Sequence, residues 1–322
     1  MKQLICILCT ISLLSSAAFA ISSADLTANP DVVEQKLALV EYAEAYLGAH
    51  PQTPTQVLTP EEEIDLIIAC EKQNLSDDEK KAILNPVGIF QLDSGNAMPT
   101  LAHANDADMI YVTLNHPSLY VSAASSGSWY VTMSGEWSID DPWSRHISGT
   151  GNIGGFDRFG ISYAGASSPC PARLDARGWM DDGAAHEKIS TSVMGASRQN
   201  GVGFEFQDFR GLDNGGFYSV GKRFGCAIAY PAEFAYFSST ILSYYAHTWS
   251  DCVMTEFEWI PPSLGGGIHV EFERPSRGFM TYSGAKTTFS MGPPPVPVFV
   301  PVGFIVLLSS GLIFLFRKLF IS

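Results

Sequence analysis

Three polar segments hold the residue types that metal binding or acid-base chemistry requires. In the densest of them, Asn105, Asp106 and Asp108 could present side-chain oxygens to Ca²⁺ from one loop. The central glycine and the terminal glutamate of an EF-hand loop are both absent, so a solvated turn is the simpler interpretation. Ca²⁺ at this loop is the only cofactor that the sequence suggests.

The other two segments favour polar loops over catalytic sites. His186 lies among Asp181, Asp182 and Glu187, but the second histidine of a zincin helix is missing. Residues 140–146 hold a similar and sparser group of two aspartates and a histidine. Neither segment predicts a specific reaction.

A nucleophile with a visible base is also absent from the sequence, because Gly-x-Ser-x-Gly does not occur. Two carboxylates on facing strands could still hydrolyse a glycan, since such pairs need not be close in sequence. The sequence therefore favours a protein without enzymatic activity and keeps a secreted glycan-active hydrolase as an alternative. The carboxylates considered for that alternative are Glu205, Asp208, Glu256, Glu258, Glu271 and Glu273.

Aromatic side chains suggest a binding function instead. The chain has 6 tryptophans and 12 tyrosines, and core packing accounts for most of them. Trp129, Trp137 and Trp179 are the candidates for exposed rings on which sugar rings would stack. They would support binding of a carbohydrate or another surface polymer, and a protein ligand remains open.

The cysteines indicate an oxidising compartment. Two of the 6 cysteines lie in the first twenty residues, which leaves Cys70, Cys170, Cys226 and Cys252. An even number in an exported chain favours disulfides, and the four allow three pairings. Their spacings match no zinc motif. Of the three pairings, we predict Cys226 with Cys252 and Cys70 with Cys170.

A small helical region, residues 21–86, is the first element that must position these side chains. Thr59 with Glu62 and Ser76 with Glu79 each have the spacing of a capping box at a helix start. The acidic residues of these helices are interpreted as solvated faces and as partners of the helix dipole.

From residue 87 the hydrophobic period changes to two, as in antiparallel strands. Val202, Phe204 and Phe206 give the clearest alternation, within a predicted strand over 202–209, and another strand is predicted over 217–230. The predicted fold is mainly β: an antiparallel β-sandwich or jelly-roll ectodomain over 87–284, after the helical region and before one C-terminal transmembrane helix.

The two ends of the chain predict export and membrane anchoring. Residues 1–20 have the basic start, short apolar core and small-residue end of a signal peptide. A proline-rich spacer, 285–297, precedes an apolar run over 298–316, which as a helix would be roughly 28 Å long. Arg317 and Lys318 in the short tail, 317–322, should stay in the cytoplasm, which places the body outside.

The end of the chain also resembles the PEP-CTERM class of bacterial sorting signals. Val296 and Pro297 stand for the first half of the proline motif, and Arg317 and Lys318 form the basic cluster. The Glu-Pro half is replaced by Val-Phe, and the resemblance covers only the last thirty or so residues. It implies handling by an exosortase-type membrane protease and says nothing about the body.

Charge narrows the range of partners. The formal net charge of −14 repels nucleic acid and anionic headgroups, so no nucleic-acid partner is expected. We predict a cell-surface, single-pass protein with its N-terminal part outside and a β-rich ectodomain for adhesion, matrix or surface-polymer binding. A viral or phage attachment protein is the second alternative, because it would have the same topology.

Overall fold

The computed structural model describes the chain in segments separated by gaps. They are residues 32–49, 58–73, 75–92, 101–103, 111–123, 127–139, 141–145, 147–164, 170–180, 192–194, 201–249, 254–259, 268–272 and 278–285. The predicted signal peptide, calcium loop, membrane helix and sorting tail lie outside these residues, as does Cys252; of the predicted spacer only Ala285 is described, at the end of a strand. Among the described residues, no helix combines the length and the apolar character that crossing a bilayer requires.

Three helices open the described chain: α1 (Val32–Ala49), α2 (Pro60–Lys72) and α3 (Asp77–Leu84). Both predicted capping boxes are confirmed. At α2, Thr59 Oγ1 accepts from the Glu62 amide at 3.3 Å, and Glu62 Oε2 accepts from the Thr59 amide at 2.8 Å. Ser76 and Glu79 make the same reciprocal pair at α3, so both helix starts satisfy amides that would otherwise lack partners.

The rest of the described chain is mainly strand, as predicted, with short 3₁₀ turns at Asn85–Val87, Pro142–Arg145 and Ala232–Tyr236. The strands are β1 (Ile89–Leu92), β2 (Leu101–His103), β3 (Val112–Leu114), β4 (Ser118–Ser122), β5 (Trp129–Trp137), β6 (Gly151–Asn152), β7 (Asp157–Ala164), β8 (Asp175–Met180), β9 (Ser192–Met194), β10 (Gly201–Phe206), β11 (Phe209–Asp213), β12 (Gly216–Val220), β13 (Arg223–Tyr230), β14 (Thr240–Thr248), β15 (Met254–Trp259), β16 (Ile268–Phe272) and β17 (Gly278–Ala285).

These strands form four antiparallel sheets. Sheet A has the order β1-β4-β5-β13-β8, with β3 also paired to β5, and sheet B has the order β2-β17-β14-β7-β10-β9. Sheet C is the small sheet β12-β11-β6, and sheet D is the hairpin β15-β16. All the recorded pairings are antiparallel, which confirms the coarse prediction of a mainly β, sandwich-like body.

Sheet A is covered on both faces. Ile64, Ile67 and Ile68 of α2 pack on one face, in a cluster that includes Tyr130 and Ala227 of the sheet. On the other face, sheets A and B meet through aromatic rings, and the ring centres of Phe224 and Tyr245 are 4.3 Å apart. Sheet A therefore lies between a helical layer and sheet B, and its central strand β5 is buried along almost its whole length.

Two strand predictions were wrong in their extent. The predicted strand 202–209 breaks after Phe206, where Gln207 and Asp208 turn the chain from sheet B into sheet C. The predicted strand 217–230 is two strands, because Gly221 adopts a φ of 85° between β12 and β13. That backbone conformation ends a regular strand and is favourable for glycine.

The predicted disulfides are also wrong. Cys70, Cys170 and Cys226 are buried free thiols. Cys70 packs with α2 against one face of sheet A, whereas its predicted partner Cys170 lies beside Tyr230, whose side chain points to the opposite face, between the sheets. Burial raises the pKa of the Cys170 thiol to about 12 and also raises the pKa of Cys70 and Cys226, so all three stay protonated.

Candidate functional site

The described residues contain one group of three metal-capable side chains, here named the aspartate-histidine cluster: Asp157, Asp208 and His247. Asp157 begins β7, His247 lies near the end of β14, and Asp208 lies between β10 and β11. The register pairs Asp157 with Phe206 and Arg158 with Ala246. Neighbouring strands of sheet B therefore deliver the three side chains to the same end of the sheet.

Asp157 is the central acceptor of the cluster. Its Oδ2 accepts a hydrogen bond from the Tyr245 hydroxyl at 2.6 Å and lies 2.7 Å from His247 Nδ1. Its Oδ1 accepts from the backbone amide of Thr248 at 3.2 Å. Both oxygens are thus engaged, and the contacts hold the carboxylate in one orientation.

Asp208 is held less completely. Its Oδ1 accepts from Gln207 Nε2 at 3.3 Å, and its Oδ2 lies 3.7 Å from His247 Nδ1. Oδ2 accepts no hydrogen bond within the part of the chain that the structure describes. A buried carboxylate oxygen in this state is unusual, because most buried polar atoms are paired.

Aromatic rings enclose the cluster. Asp157, Asp208 and His247 are each 0% exposed. The Trp143 ring is stacked on the His247 ring, with centres 5.6 Å apart, and Trp249 meets its edge at 3.9 Å. The three side chains are therefore closed to solvent in this structure.

A glycine turn packs against Thr248, the residue that follows His247. Gly154 has a φ of 76°, and a Cβ there would lie 2.3 Å from the carbonyl oxygen of Thr248. The adjacent amide of Gly155 donates to Thr248 Oγ1 at 3.0 Å, and Gln207 Nε2 donates to the Gly155 carbonyl at 3.1 Å. The turn therefore requires glycine, and it ties sheet C to sheet B at the site.

The electrostatics of the cluster follow from burial. Burial, and then the nearby carboxylate of Asp157, raise the pKa of Asp208 well above its ordinary value. The pKa of Tyr245 is likewise raised, by burial first and then by Asp157, so its hydroxyl stays a donor. Two buried carboxylates this close to each other favour uptake of positive charge, as protons or as a cation.

A second polar group joins α2 to sheet A. Glu63, which is buried, accepts hydrogen bonds from Ser122 Oγ at 2.6 Å and from the Tyr130 hydroxyl. About two helical turns further along α2, Glu71 accepts hydrogen bonds from Lys80 Nζ and from the Tyr120 hydroxyl, both at 2.9 Å. These two glutamates correct the prediction that the helix acids are solvated, because sheet hydroxyls replace water around them.

Lys36 provides a third buried charge-bearing group, between α1 and the turn after β13. Its Nζ donates to the carbonyls of Phe234 at 2.9 Å and Phe237 at 2.7 Å, and it lies 4.0 Å from the centre of the Phe234 ring. Burial lowers the pKa of Lys36 to about 7. Like Glu63 and Glu71, Lys36 joins separate elements of the fold through buried hydrogen bonds.

The residues singled out from the sequence have different outcomes. Trp129, Trp137 and Trp179 are buried, so they pack the core and offer no ring face to a sugar. Among the hydrolase carboxylates, Asp208 is buried, and Glu256 is the register partner of Glu271 across sheet D. The calcium candidates Asn105, Asp106 and Asp108 lie outside the described residues, as do 181–187.

The sequence reasoning missed the aspartate-histidine cluster. Asp157 and His247 were not singled out, and Asp208 was considered only as one of several strand carboxylates. Their spacing in sequence matches no metal or catalytic motif, and only strand register brings them together. The proximity of a histidine to two aspartates could therefore not be read from local sequence.

Comparison with known proteins does not supply a family. No protein-family model matches the chain, and a comparison with curated proteins finds no match either.

Proposed function

We propose that this chain is an exported, membrane-anchored cell-surface protein whose β-rich body binds a neutral carbohydrate polymer. The observation that carries the binding role is an exposed apolar pair on the β11–β12 hairpin. Leu212 and Phe217 are 60% and 47% exposed, and the strand register places them directly opposite each other. Exposed apolar side chains grouped on one face are typical of interaction sites.

The hairpin is rigidly supported beneath that pair. Arg210 is buried and binds Asp141 through two nitrogens, with Nη2 at 2.7 Å and Nε at 3.0 Å from Oδ2. Its guanidinium also lies 3.7 Å from the centre of the Phe217 ring. Cation–π stacking and bidentate pairing limit motion of the ring, which lowers the entropy lost on binding.

Charge and ring chemistry favour a neutral sugar polymer as the ligand. An aromatic ring stacks on the apolar face of a sugar, and neighbouring aliphatic groups widen that contact. The net charge of −14 disfavours anionic polymers by repulsion. A protein ligand would use the same exposed pair and is the alternative that the binding test must separate.

Anchoring is supported by the apolar run over 298–316 and by the basic residues Arg317 and Lys318. Its resemblance to a PEP-CTERM signal further suggests an exosortase-type protease that cuts near Val296 and Pro297. The glycan-active hydrolase and the viral attachment protein remain alternatives from the sequence, and no specific contact in the described part of the chain favours either.

A polymer-retention experiment tests the proposal. The full chain, solubilised in mild detergent, is passed over insoluble cellulose, chitin and β-1,3-glucan, and the retained fraction is measured with Leu212→Ala and Phe217→Ala variants. We expect retention on at least one polymer and a loss of about tenfold or more in each variant, because exposed anchors dominate binding. Leu174→Ala is the matched control, since Leu174 is 54% exposed elsewhere on the body.

Retention of no polymer by the wild-type chain would reject the carbohydrate ligand. Equal loss in the Leu174→Ala control would show that general apolar adhesion, and not the hairpin, causes retention. Membrane fractionation of the same cells provides the second arm, because recovery of the chain in the soluble cytoplasmic fraction would reject the surface location.

A further inference from the structure

We propose that the aspartate-histidine cluster is a structural binding site for one divalent transition cation, with zinc as the best match. The ligand atoms of Asp157, Asp208 and His247 all lie within 4.8 Å of one another. A single cation could contact all three after small side-chain movements. This proposal does not depend on the carbohydrate-binding function.

The unpaired oxygen of Asp208 is the independent observation that points to a ligand. The residue is 0% exposed, and no described residue donates a hydrogen bond to Oδ2. That atom is directed at the cluster, since it lies 3.7 Å from His247 Nδ1. A cation there would satisfy an oxygen that is otherwise costly to bury.

Neighbouring groups contact the three proposed ligand side chains and hold them in fixed orientations. Gln207 holds the other oxygen of Asp208, and the Thr248 amide holds Asp157 Oδ1 at 3.2 Å. The Trp143 ring, stacked on His247, fixes the plane of the imidazole. Such second contacts orient metal ligands and leave one atom of each side chain directed at the metal.

Charge balance is consistent with a divalent occupant. Two carboxylates and a neutral imidazole carry a formal charge of −2, which one divalent cation neutralises. His247 would lose the proton on Nδ1 to become a ligand and would carry its proton on Nε2. Two bound protons would achieve the same neutrality without metal, and this is the competing state that the experiment must separate.

The donor set favours zinc over calcium. Two carboxylate oxygens and one imidazole nitrogen belong to the ligands of zinc, which takes four at about 2.0 Å with neighbouring donors roughly 3.3 Å apart. The Tyr245 hydroxyl donates to Asp157 Oδ2 at 2.6 Å and lies 3.1 Å from His247 Nδ1, so it holds the Asp157 carboxylate in place beside the imidazole. Calcium requires six to eight oxygens and longer bonds, more than these side chains supply.

Metal analysis of the full chain tests the proposal. The chain is purified in mild detergent with a histidine-free tag and without chelator, and Zn, Mn, Fe and Ca are measured by mass spectrometry. We expect about one zinc per chain in the wild type and less than about 0.2 in Asp208→Asn, which keeps the shape of the side chain but loses the charged ligand. Glu205→Gln is the matched control, because it also removes one negative charge, from strand β10, which precedes Asp208 in the chain. This variant should retain the zinc.

A measurement on the wild type alone guards against a variant that does not fold. Removal of metal with a strong chelator should lower Tm, and stoichiometric Zn²⁺ but not Ca²⁺ should restore it. The proposal is overturned if the wild type holds less than about 0.1 zinc per chain and added Zn²⁺ leaves Tm unchanged. Unchanged or raised Tm in a metal-free Asp208→Asn protein would assign the cluster to bound protons instead.

Discussion

Lys36 shows how burial changes the protonation chemistry of one residue. The folded chain holds its proton only up to a pKa of about 7, whereas the unfolded chain holds it up to an ordinary value of 10.5. Between these pH values unfolding takes up a proton, so this residue makes the folded chain more stable as pH rises. Its contribution changes by about 1.4 kcal/mol per pH unit within that window.

We therefore predict that Lys36→Met flattens the stability profile. From pH 7.5 to 8.5, the difference in free energy of unfolding between wild type and variant should shift in favour of the wild type. The measurement is urea denaturation of both proteins at each pH. A difference that is constant over this range would show that Lys36 does not titrate between the two states.

Burial also corrects what the sequence suggested for single residues. Trp129 and Trp137 were predicted as stacking platforms, yet both pack inside the core. The sequence shows which residues are aromatic, but the solvent exposure of a ring depends on which elements pack against each face of its strand. Both faces of β5 are covered, which no alternation in its sequence could indicate.

At the scale of elements, α2 is attached to sheet A by buried hydrogen bonds as well as by apolar packing. Glu63 lies on the face of α2 that contacts the sheet, and its carboxylate accepts hydrogen bonds from the hydroxyls of Ser122 and Tyr130. Loss of the carboxylate would leave those two buried hydroxyls without their acceptor. A buried hydroxyl that loses its acceptor destabilises the fold by its full desolvation free energy, which exceeds the net stabilisation that the hydrogen bond provided.

We predict that Glu63→Ala lowers the free energy of unfolding by roughly 2–4 kcal/mol. Glu61→Ala, at an exposed position in the first turn of α2, should change it by less than about 0.5 kcal/mol. Denaturant titrations of the three proteins provide the comparison. Similar values for the two variants would mean that Glu63 does not contribute to docking of the helix.

Local sequence predicted the elements whose signals are local. The capping boxes at Thr59 and Ser76 were recognised because their partners lie three residues away. β14 was missed, although it carries His247, because it is buried along its whole length and has no polar alternation. The candidate site depends on strand register between distant segments, and that information is not present in any short window.

The free thiols give a prediction for the whole molecule. Alkylation under denaturing conditions without reductant should label Cys70, Cys170 and Cys226 completely, whereas the folded chain should react slowly because all three are buried. Peptide mass spectrometry provides the readout. A disulfide-linked peptide joining Cys226 to Cys252 would restore the pairing that we expected from the sequence.

The contacts of Lys36 have a consequence for the order in which the chain folds. Its two acceptor carbonyls lie 198 and 201 residues further along the sequence. During synthesis at about 5–20 residues per second, α1 must therefore wait on the order of ten seconds or more before its buried face finds those partners. The first helix among the described residues is thus among the last to complete its contacts, and until then its apolar face is accessible to chaperones.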